Sequence, residues 1–169
     1  MRALALALVL SATLGLAACS TAMRGSMALA DGNYDLALKY YNEALASDPD
    51  SIYLHKRVGM VYFAKQDYAR AELVFQDVLD HSPGEPEALF YLGLSRIGKG
   101  EREPALRDLT TFRWPFKFYH QKFVQEEAAR LLKHPETPPG QAIRSLQDEL
   151  EKGKAEQIIM ERESRDMRN

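Results

Sequence analysis

From Ile52 to Pro83 apolar residues return every three or four positions, with charged residues between them. That spacing lays one apolar stripe along a helix. The polar break Lys65-Gln66-Asp67 divides the stretch into two helices joined by a turn, and Ser82-Pro83-Gly84 ends the second, because proline cannot continue a helix. The same arrangement stands on either side. Before it, Tyr34, Ala37, Tyr41 and Ala44 form a strong second helix after an Asp31-Gly32-Asn33 turn; after it, residues 86–117 break at Gly98-Lys99-Gly100. Pro104 falls in the first turn of a helix, where it is tolerated. Further on, Pro115 to His134 predicts another helix, with Phe116, Tyr119, Phe123, Ala128, Leu131 and Leu132 available to cover the preceding ones. Pro135 to Gly140 is a break. Residues 141–160 predict a last helix with Ile143, Leu146 and Leu150 on one face, and the polar stretch from Glu161 to Asn169 is expected to fray. No strand pattern occurs, so the expected class is all-α.

The helical pattern also repeats at long range. Gly25, Gly59 and Gly93 lie 34 residues apart, as do Ala37, Ala71 and Ala105, and Pro49 and Pro83 keep the same interval, as do Tyr34 and Tyr68. Such a period in a helical chain marks stacked helix pairs. Gly59 and Ala71 must be small because the two helices of a pair cross there. Val58, Tyr62, Phe75 and Leu79 fill the remaining space. With Gly59, Tyr62, Ala71, Phe75, Val78 and Pro83 in one register, the chain resembles the tetratricopeptide repeat over roughly residues 20–117. The resemblance implies an α-solenoid of antiparallel helix pairs over 26–117, about three repeats with the first partial, and C-terminal capping helices and a frayed tail over 118–169. The first repeat departs from the pattern at Arg24 and Ala28, and residues 20–26 read equally as helix or tether. The third departs at Arg96, Phe112 and Lys117.

In that family the first helix of each pair lines a concave groove. The positions that match are Tyr53, Lys56, Met60 and Phe63 in the second repeat, and Glu87, Phe90, Leu94 and Ile97 in the third. The lysine and asparagine with which chaperone-binding relatives clamp a terminal carboxylate are absent there. An aromatic and aliphatic lining suits an apolar helix or extended peptide. Equally, the helix after Gly140 folds back and covers these residues itself.

The N-terminus carries an address. Arg2 precedes the apolar run Ala3 to Leu16, which is short of the roughly 20 residues that span a bilayer and fits a secretory signal peptide, residues 1–18. Leu16-Ala17-Ala18-Cys19 resembles the lipobox of bacterial lipoproteins. The resemblance implies cleavage before Cys19, lipidation of that residue, and a short tether over 19–25. Cys19 is the single cysteine, which excludes an intramolecular disulfide. Ser20 in place of aspartate favours the outer membrane, facing the periplasm, over the inner membrane.

Composition subtracts functions. With 22 basic and 24 acidic residues the formal net charge is −2, which gives no electrostatic reason to bind nucleic acid. No two of His55, His81, His120 and His134 stand three or four residues apart, so no helical metal pair forms. Glu126 and Glu127 diverge on a helix, and no nucleophile elbow, phosphate loop or dinucleotide fingerprint occurs. The expectation is therefore no catalytic residue, no metal, no cofactor beyond a covalent lipid on Cys19, and no small-molecule substrate. In the cluster from Phe112 to Tyr119 the aromatics are expected to pack the last repeat against the capping helix. Trp114, the single tryptophan, is the alternative as an exposed anchor for a partner. The expected function is a membrane-anchored adaptor for protein partners. Similar small lipoproteins serve type IV or tight-adherence pili and secretion pores; peptidoglycan enzymes or a periplasmic protease are the alternative clients.

Overall fold

The computed structural model describes residues 20–167. The signal segment 1–18 and Cys19 lie outside the described residues. Among the described residues there are eight helices: α1 over 20–30, α2 Tyr34–Leu45, α3 Ile52–Ala64, α4 Tyr68–His81, α5 Pro86–Lys99, α6 Arg102–Thr110, α7 Phe118–Lys133 and α8 Pro139–Asp166. No strand occurs among the described residues. By its internal contacts the chain divides after Pro83 into two compact units.

The first unit contains α1 to α4. Residues 20–25, expected as a tether, are helical here. The reason is visible at Gly25: a Cβ on it would meet the Tyr41 ring of α2 at 2.8 Å, and Ser26 Oγ lies 2.9 Å from the Tyr41 hydroxyl. The helix therefore has a partner from its first turns. Gly59 repeats the arrangement one register later, its missing methyl replaced by the Phe75 ring of α4, again at 2.8 Å. Ala37, Tyr41, Val61, Ala71 and Phe75 are wholly buried behind these contacts. The turns are built alike as well. Gly32 (φ 73°) and Gln66 (φ 60°) both take the left-handed conformation. In the following residue Asn33 Oδ1 accepts from the amide of Leu36, and Asp67 Oδ1 from that of Arg70, which caps the next helix.

The second unit contains α5 to α8. Gly93 sits against Leu109 of α6 as the other two glycines sit against their aromatics, at a closest 3.0 Å for a Cβ. Gly98 and Lys99, expected in the turn, remain helical, and Gly100 (φ 97°) closes α5. The third helix pair, α5 and α6, packs within this unit, α6 on α7 and α5 on α8. Arg102, on the first turn of α6, reaches the end of α7 and donates to the carbonyls of Leu131, His134 and Pro135 at 2.9, 3.0 and 3.1 Å. It satisfies acceptors that a helix end leaves without intrahelical partners.

Two expectations are corrected in this unit. The sixth connection runs to Lys117 before α7 begins, because Trp114 to Lys117 form a tight turn in which Phe116 has φ 61°. The tail from Glu161, expected to fray, is helical as far as Asp166. Lys117 Nζ bonds Glu161 at 3.1 Å, and the amide of Tyr119 donates to Gln157 at 3.3 Å, so α7 holds the far end of α8. Gly153 makes that approach close, since a Cβ there would stand 2.6 Å from the Tyr119 carbonyl oxygen. No helix among the described residues is long and apolar enough to cross a membrane.

Candidate partner-binding surface

Tyr53, Lys56, Met60 and Phe63 fall three, four and three residues apart along α3 and so share one face. Their counterparts on the other face, Leu54, Val58 and Val61, are buried in the core of the first unit. Tyr53 is 47% exposed and the other three are half-buried. The face is ordered by its own contacts. The Arg57 guanidinium lies over the Tyr53 ring at 5.0 Å and its Nη1 donates to Met60 Sδ at 3.4 Å. Phe63 meets Tyr68 edge-on at 5.6 Å between centroids. An aromatic ring with a cation above it, a thioether and a second ring give a mixed apolar and cationic surface, suited to an apolar segment carrying an acidic group.

The third-repeat residues do not offer such a surface. Phe90, Leu94 and Ile97 are 0% exposed, because α8 packs on α5. Of the two readings open from sequence, self-coverage by the last helix is the one realised here. Glu87 alone of that set keeps partial exposure.

Trp114 is half-buried and not an exposed anchor. Its ring lies edge-on between Phe112 at 5.9 Å and His120 at 4.8 Å. Phe112 is buried, as the packing expectation required, but Phe116 and Phe118 are not: Phe116 is 98% exposed and Phe118 62%. Hydrophobicity alone assigns such residues to a core. At Phe116 the backbone itself is unusual, with φ 61°.

The polar groups inside the second unit are structural. Burial pushes the Glu127 carboxyl up, yet bonds from Arg130, at 2.6 and 2.7 Å, and from Ser145 override it and hold the pKa below its ordinary value. Burial, with Lys117 and Lys154 nearby, lowers His120. His55 contacts the Pro49 carbonyl at 2.8 Å, His81 that of Asp77 at 2.8 Å, and His134 lies 3.0 Å from Glu136. No group of side chains able to hold a metal occurs among the described residues.

Comparison with known proteins agrees with this architecture. Two family models described as tetratricopeptide repeat match, one over residues 28–89 and one over 2–52. Superkiller complex protein 3 of Mus musculus is 33% identical over 92 residues, 53% of this chain and 6% of that protein. Photosystem I assembly protein Ycf3 of Acaryochloris marina is 33% identical over 88 residues, 50% of this chain and 53% of that protein. The chain thus spans a small fraction of the first relative and about half of the second. Among solved structures, the first tetratricopeptide domain of Spaghetti (RPAP3), bound to an HSP90 peptide SRMEEVD, aligns with a TM-score of 0.54. It shares 21% identity, covers 70% of this chain and 92% of its own, and shows the fold to be an all-α assembly of tetratricopeptide-type helix pairs.

Proposed function

We propose, from the premise that this chain carries tetratricopeptide repeats, that it is a non-catalytic adaptor which takes a protein segment on the exposed face of α3. The observation that carries the reading is the aligned set Tyr53, Lys56, Met60 and Phe63 left at the surface of a unit whose core is otherwise filled. The structurally similar domain is bound to a peptide, which supports the same mode of use. The natural occupant is a short apolar helix or extended strand with an acidic residue beside Arg57.

The sequence adds an address. Cleavage before Cys19 and lipidation of that residue anchor the adaptor to a membrane, outer rather than inner, facing the periplasm. The clients are components of a type IV or tight-adherence pilus or of a secretion pore. Peptidoglycan enzymes or a periplasmic protease are the alternative.

Three measurements separate these layers. Labelled palmitate is incorporated into the wild type and not into Cys19→Ser; equal labelling removes the anchor. Affinity purification from detergent-solubilised membranes recovers partners that Tyr53→Ala/Phe63→Ala loses; unchanged recovery removes the α3 face. Cross-linking in the native membrane that returns only cell-wall or protease machinery replaces the pilus reading with the alternative.

A further inference from the structure

The turn from Arg113 to Phe118 does something the adaptor reading leaves unexplained. A phenylalanine with 98% of its surface in water loses the transfer free energy that burial of its ring provides. Phe116 also occupies the left-handed backbone region, which costs a non-glycine residue roughly 1–2 kcal/mol. The turn is nevertheless well fixed. Gln121 accepts from the Trp114 amide at 3.2 Å, Gln125 donates to the Phe112 carbonyl at 2.8 Å, and the Trp114 ring is wedged between Phe112 and His120. A rigid base thus carries a protruding ring, with Phe118 beside it.

Along the segment itself the charges have one sign. Between Asp108 and Glu126 the chain contains no carboxylate, while it contains Arg113, Lys117 and Lys122, in a protein whose net charge is −2. Lys117 pairs with Glu161, and Lys122 stands 4.0 Å from Glu126. Arg113 is exposed at the rim, and no carboxylate pairs with it among the described residues. On α8, next to the Gln157 and Glu161 that bond this segment, Ile158, Ile159 and Met160 are also exposed. Aromatic rings that project from a fixed base, a tryptophan at their root and a cationic rim are the composition of a bilayer interface. A protein groove, by contrast, would be filled by a convex ring only where it offers a matching hollow.

We infer that the Arg113–Phe118 turn is a membrane-contacting element, inserting Phe116 and Phe118 among the acyl chains of an anionic lipid surface while Arg113 meets the headgroup phosphates. This is independent of the α3 face and of lipidation at Cys19.

The test uses the full chain on vesicles and a tryptophan at the tip, Trp114→Phe/Phe116→Trp. On vesicles containing phosphatidylglycerol its emission moves to shorter wavelength and brominated acyl chains quench it, as for an indole at the interface. Pure phosphatidylcholine vesicles give a smaller effect. In a second variant, Phe116→Ser/Phe118→Ser, the native Trp114 reports, and the vesicle-induced shift is lost while the far-ultraviolet dichroism stays that of the wild type. Unshifted and unquenched emission at the tip on anionic vesicles overturns the inference. So does an emission shift that follows protein concentration without lipid, which assigns the turn to a second copy of the chain.

Discussion

A single hydrogen in place of a methyl sets the distance between paired helices. Gly25, Gly59 and Gly93 each face the side chain sixteen residues on, Tyr41, Phe75 and Leu109, so the register of the sequence is the register of the crossings. Gly59→Ala forces the Phe75 ring aside and should cost about 1–3 kcal/mol in urea unfolding. Gly153→Ala should cost more than Gly59→Ala in the same measurement, because its neighbour is the Tyr119 carbonyl, which cannot rotate away. The turns share a second register: Gly32, Gln66 and Gly100 all have positive φ, and Gln66 alone carries a side chain there. Gln66→Gly should therefore raise the unfolding midpoint, a gain of about 1 kcal/mol. Two partly buried residues contribute to the response to acid. His120 has its folded pKa below 6.5 and Glu127 below 4.5. Each depressed value means stability that is complete above the ordinary pKa and lost as pH falls through it towards the folded one. Thermal midpoints of the wild type should decline first below about pH 6.5 and again below about pH 4.5; Glu127→Gln should flatten the second decline.

Among the elements, what was legible in the sequence depended on the reach of the interaction concerned. The helix pairs were visible because glycine, alanine and the turn triplets recur locally, and each recurrence has a steric reason. The burial of Phe90, Leu94 and Ile97 was not decidable, since periodicity marks an apolar face without saying what lies on it. Their cover, α8, is separated from them in sequence by two helices. The end of α8 was misjudged for the same reason. Glu161 and Gln157 look like the beginning of a frayed tail until Lys117 and Tyr119 are seen to bond them. Residues 20–25 read as a tether only while Tyr41 is ignored. On the surface of α3, local pattern sufficed, because Tyr53, Lys56, Met60 and Phe63 needed only helical spacing to share a face. The contrast between the two sets is measurable. Phe90→Ala should cost about 3–5 kcal/mol in chemical unfolding, as a buried ring replaced by a methyl does. Tyr53→Ala should stay within about 0.5 kcal/mol of the wild type, as surface changes do.

At the scale of the molecule, the two units treat the same repeat position in opposite ways. The first leaves the α3 face at its surface, and the second encloses the matching face of α5 beneath α8. On the proposed function, capture of a peptide falls to the first unit, and substitutions on α5 should act on it only through folding. A chain ended at Pro138 should expose Phe90, Leu94 and Ile97 and bind a hydrophobic dye that the full chain excludes, which fluorescence titration would register. The same enclosure bears on how the protein is made. Because α5 leaves the ribosome before α6, α7 and α8, its apolar side stays without that cover until α8 has been translated. A polypeptide interrupted before α8 therefore presents an apolar surface that the finished fold has enclosed.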